Sequence, residues 1–104
     1  MLCTIYKLYK QADEELKGSE NYIERAEKSK DKEDEKIYYD MANDEMKHAG
    51  YLADMAKRKT EKLSEYDNKE DSEHLSIGVM DIIKDMHTEY IHHMAKVKEL
   101  MHTK

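Results

Sequence analysis

Within the run Asp44-Glu45-Met46-Lys47-His48, a glutamate and a histidine stand three residues apart. On a helix that spacing puts the two side chains on neighbouring turns of one face, where a carboxylate oxygen and an imidazole nitrogen can close on one cation. An E-x-x-H pair occurs often on surface helices, so its surroundings must decide its meaning. The apolar residues of the segment, Ile37, Met41, Leu52, Met55, Ala56 and Leu63, recur at helical spacing. At about 100° per residue, Glu45 falls near the centre of that stripe and His48 about 50° from it. A carboxylate aimed at a core costs several kcal/mol unless a proton, a base or a cation neutralises it. A metal ion would satisfy Glu45 and His48 together.

A third ligand comes from the preceding helix. The stripe Ile5, Leu8, Ala12, Leu16, Ser19, Ile23 and Ala26 predicts a first helix from about Leu2 to about Lys30, with Glu15 at its edge and Tyr22 two turns further on. Gly18 either weakens this helix or lets a partner approach closely. The charged segment Lys28 to Lys36 reads as a short solvated turn with Asp31 as N-cap of the next helix, expected from about Glu33 to Glu65. In an antiparallel hairpin, Glu15 opposite Glu45 places the turn centre near residue 30, and Glu15 opposite His48 places it between 31 and 32. Both positions lie in the charged turn, so Glu15, Glu45 and His48 are expected at one height on the hairpin's buried side.

A second turn, Tyr66 to Ser72, leads to a third helix expected from about Ser72 to Lys104, with the stripe Leu75, Val79, Ile83, Met86, Tyr90, Met94, Val97 and Met101. Its own E-x-x-H, Glu89 to His92, is rotated away from that stripe. His93 lies nearer the stripe and is the better candidate for an outer or alternative ligand. His74, His87 and His102 are expected on the surface, where six histidines in an acidic chain could also hold Zn or Cu loosely.

Composition limits the alternatives. The 104 residues suit one helical domain with a modest core; 40% are charged and 38% hydrophobic, with no Pro, Trp or Phe and three Gly. A net charge of -6 disfavours nucleic acid and anionic membranes and favours cations. Cys3 is single, which argues against a disulfide framework and for a reducing cytoplasm. No apolar run approaches a membrane span, and Lys7 and Lys10 interrupt the N-terminal apolar stretch, unlike a signal peptide. There is no phosphate loop, Cys pair or nucleophile elbow, so any chemistry must come from side chains on helix faces.

Glu15, Tyr22, Glu45 and His48 resemble one half of a ferritin-like di-iron protein, which has a Glu on its first helix and Glu-x-x-His on its second. The segment Asp44 to Ala49 followed by Leu52 is similar to the matching helix of rubrerythrins. The interval from Glu15 to Glu45 looks closest to the small encapsulated ferritins, short chains that complete their site by pairing. The resemblance spans roughly Asp13 to Lys57. It implies Glu15, Glu45 and His48 as metal ligands and Tyr22 as a hydrogen-bonding residue of the catalytic site. The long third helix is an addition to that pattern, and Lys96 to Lys104 has no apolar cargo-loading tail.

A di-iron centre of this kind takes about four carboxylates and two His, twice what one chain offers. The expectation is therefore an all-α, three-helix chain whose hairpin forms a ferritin-like four-helix bundle by dimerisation. It would hold two Fe per homodimer, with Mn or Zn as substitutes, and act as a ferroxidase or peroxide-scavenging oxidoreductase. One metal among Glu15, Glu45, His48 and His93 of a single chain is the simpler arrangement. The opposing expectation is a non-catalytic acidic module that binds a partner protein, with Glu15 and Glu45 as boundary residues paired with Lys.

Overall fold

In the computed structural model, the described residues are 2–69 and 77–102, with side chains described for 2–63 and 78–102. They form three helices: α1, Leu2–Lys28; α2, Lys32–Lys69; and α3, Ile77–His102. No strand occurs among the described residues. None of these helices is long and apolar enough to cross a membrane. The molecule measures 60 × 17 × 16 Å with a radius of gyration of 17.1 Å, against about 13 Å for a compact domain of this length. The 38 residues of α2, at about 1.5 Å each, set the long axis.

The α1–α2 turn forms where the charges predicted it. Ser29 N–H donates to the Ala26 carbonyl and closes α1. The Asp31 carboxylate accepts from Glu33 N–H at 2.8 Å, more distantly from Asp34, and caps α2, whose first turn also carries Glu33, Asp34 and Glu35. At its far end α2 continues to Lys69, through most of the segment expected to turn. The remainder of that turn, with His74 and Leu75, lies outside the described residues.

All seven residues of the α1 stripe are buried, joined by Tyr9. The α2 stripe is not what the spacing of large side chains suggested. Of that stripe Ala56 is buried and Leu52 and Leu63 pack half-buried against the core, but Ile37, Met41 and Met55 are 54%, 36% and 38% exposed, and the rest of the buried face is Ala42, Met46, Ala49 and Ala53. The physical reason is closeness: the Leu and Ile side chains of α1 fill the interhelical space, and α2 meets them with alanines. Ser19 Oγ pins the contact by donating to the Ala42 carbonyl at 2.8 Å in the core.

Two clusters form the core. Ala12, Leu16, Ile23, Ala42, Met46 and Ala49 pack with Val97 at one end; Ile5, Leu8, Tyr9, Ala53 and Ala56 pack with Ile83 at the other. This order makes α3 parallel to α1, and it lies more against α1 than against α2. Ile83 and Val97 of the α3 stripe are buried, and Val79, Met86, Tyr90, Met94 and Met101 half-buried, as their spacing predicts. One broad face of the α1–α2 hairpin is thereby covered, and the other is open.

Candidate metal centre

Glu15, Glu45 and His48 come together on the open face, each offering one ligand atom within 4.8 Å of the others. They are not in the core, as the α2 stripe had suggested. Both glutamates are half-buried and His48 is exposed. His48 Nδ1 lies 3.8 Å from Glu15 Oε2. The hairpin register centred on residues 29–31 sets their common height, and Gly18 sets their depth. A Cβ at Gly18 would stand 3.0 Å from Glu45 Oε2, so the missing side chain lets the Glu45 carboxylate lie across the α1 backbone toward Glu15.

The two carboxyl groups share a hydrogen bond, and this is the main reason that Glu45 is pushed up to about 7. Partial burial and the charge of Glu15 push in the same direction, and His48 pulls against them. The metal-free pair thus keeps a proton where two carboxylates and an imidazole could hold a divalent ion instead, and the donor set suits iron or manganese. Among the described residues, neither Glu15 nor Glu45 forms an ion pair with a lysine.

Stability should report this pair. A carboxyl whose folded pKa is raised favours the folded state fully below its ordinary value of about 4.5, and that contribution is lost as pH rises toward 7. Allowing for solvent screening of a half-exposed pair, metal-free protein should lose about 1–2 kcal/mol over this window relative to Glu45→Gln. Urea unfolding of both proteins in EDTA at pH 4.5 and 7.5 measures the difference; equal pH dependence would refute the shared proton.

The other sequence candidates lie elsewhere. Tyr22 stacks on Tyr38 with ring centroids 6.3 Å apart, and Arg25 sits 5.7 Å over its ring. His93 belongs to the α1–α3 contact and is not a member of the Glu15–Glu45–His48 group. Its Nδ1 shares a hydrogen bond with Asp13 Oδ1 at 2.6 Å and its Nε2 one with Glu20, whose other oxygen lies 3.5 Å from Lys96. Partial burial pushes the Asp13 carboxyl up, but His93 and Lys17 outweigh it and hold the group below its usual range. His87, expected at the surface, is half-buried and shares a hydrogen bond of 2.8 Å with the Tyr9 hydroxyl. His92 and His102 are exposed.

Sequence reasoning missed the Asp13–His93–Glu20 and Tyr9–His87 contacts. Asp13 and Glu20, seven residues apart beside the α1 stripe, carried a signal for the first. Replacing His93 with Leu should leave two carboxylates against an apolar side chain and cost about 1–3 kcal/mol in urea unfolding. The Glu15–Glu45–His48 group should be undisturbed, because His93 takes no part in it; a changed pH dependence of stability at Glu45 without loss of α3 packing would overturn that separation.

Compared with known proteins, the chain matches no family model, no curated protein and no solved structure.

Proposed function

We propose that this protein binds iron in a di-iron centre shared by two copies of the chain, and that it acts as a ferroxidase or peroxide-scavenging oxidoreductase. The observation that carries the reading is the gathering of Glu15, Glu45 and His48 on the one hairpin face that α3 leaves open. Three ligand atoms are half of a di-iron donor set, and a two-fold axis through this face supplies the other half. Exposed Ile37, Met41 and Met55 share the α2 side of that face and provide apolar surface for a second copy. Among the described residues, the lack of lysine partners for Glu15 and Glu45 favours this reading over a module stabilised by salt bridges.

In such a bundle Glu15 and Glu45 would hold the metal, Glu45 releasing the proton that it shares with Glu15, and His48 would add one ring nitrogen. Iron supplies the one-electron redox chemistry, and the acidic chain draws ferrous ion inward. Tyr22, stacked on Tyr38, takes no assigned part in the site.

Native mass spectrometry before and after anaerobic addition of Fe(II) tests the proposal. Two irons per dimer, lost in Glu15→Ala, are expected. A metal-free monomer under both conditions would overturn it in favour of a helical interaction module.

A further inference from the structure

On the opposite side of the molecule, between α1 and α3, a cavity of about 220 Å3 is lined by Tyr6, Tyr9 and Tyr90, with Met86, Asp13, Glu89 and Lys10 completing the wall. It is smaller than the roughly 300–1,000 Å3 typical of drug-sized ligands, and suits a head group. Its polar groups are unequal. Asp13 already faces His93 through Oδ1 and Lys17 through Oδ2. Among the described residues, Glu89 forms no ion pair or hydrogen bond. The Tyr9 hydroxyl is taken by His87 in a neighbouring cavity, so Tyr9 presents mainly its ring here. Its centroid lies 6.4 Å from that of Tyr90, with the planes tilted by 48°.

Three aromatic rings and a thioether attract positive charge, with acceptors at the Glu89 and Asp13 carboxylates and the tyrosine hydroxyls. Ring faces attract cations electrostatically, and such a lining favours a weakly hydrated cation over one that needs many hydrogen bonds. We propose that this cavity binds a methylated ammonium head group, with Tyr6, Tyr9 and Tyr90 around the methyl groups and Glu89 as counter-charge. Lys10, exposed at the cavity, opposes binding and limits affinity. The site shares no residue with the metal triad.

NMR titration of the full chain with choline and with its neutral isostere 3,3-dimethylbutan-1-ol tests the proposal, read at the Met86 methyl and the tyrosine ring resonances. Choline should give saturable shifts, with the neutral isostere roughly tenfold weaker or worse. Tyr6→Leu is suited to the test because Tyr6 is 52% exposed and its replacement keeps an apolar side chain. It should weaken choline several-fold, as should Glu89→Gln, whereas Lys10→Ala should strengthen it. Equal binding of the isostere would reduce the site to an apolar hollow, and absence of saturable shifts would remove it; either result overturns the proposal.

Discussion

Glu45→Ala is expected to lower iron-dependent oxygen consumption by at least about a hundredfold, because loss even of a group supporting a metal ligand commonly costs 10–100-fold. The effect should be large for a geometric reason. Glu45 lies across Gly18 toward Glu15, and in a two-fold dimer one substitution removes two carboxylates from the same centre. The fold should survive, since alanine is the strongest helix former and Glu45 is only half-buried. Circular dichroism should be unchanged, and the metal-free variant should be more stable than the parent at neutral pH, having lost the contact between like charges. Asp44→Ala, one residue away on the exposed surface, should keep full activity. Unchanged oxygen consumption in Glu45→Ala would sink the di-iron reading.

Met41→Glu combined with Met55→Glu should break the proposed dimer. Each places a charge in the apolar surface beside the triad, and burying unpaired carboxylates against a second copy would weaken association by about 100- to 1,000-fold. Analytical ultracentrifugation should show monomers at micromolar concentration, and iron should be lost in parallel although every ligand remains. The control is Ile82→Glu with Ile91→Glu, which charges exposed apolar positions (56% and 48%) on α3. It should leave both dimer and iron intact. A dimer that withstood the first pair but not the second would place the interface on α3 and separate assembly from the metal site.

The hairpin was legible because two independent signals agreed: apolar spacing in α1, and capping chemistry at Asp31. Their agreement also set the register, which is why Glu15, Glu45 and His48 meet at one height. What the sequence misstated was the rotation of α2. Hydrophobic patterning gives most weight to the largest apolar residues, Ile37, Met41 and Met55, whereas close packing against α1 selects Ala42, Ala49 and Ala53 alongside Ala56, which the pattern did include. Alanine carries too weak a hydrophobic signal to reveal that preference without its partner. The displaced methionine and isoleucine side chains mark the open face, so the error locates the surface on which the proposed assembly depends. His93 was less legible because its partners, Asp13 and Glu20, lie more than seventy positions away.

The turn at residues 29–31 also orders the events of folding. From that turn α1 and α2 can pair progressively, each contact closing a loop only slightly longer than the last, which keeps the entropic barrier low. The contacts of α3 with α1 instead bridge 73 to 80 positions, as with Glu20, Tyr9 and Asp13, and await a much longer closure. Glu15 and Glu45, midway along the hairpin, would meet before α3 docks. In stopped-flow refolding, a Tyr22–Tyr38 signal should precede a Tyr9–Tyr90 signal, so a nascent chain could bring Glu15 and Glu45 together before its third helix settles.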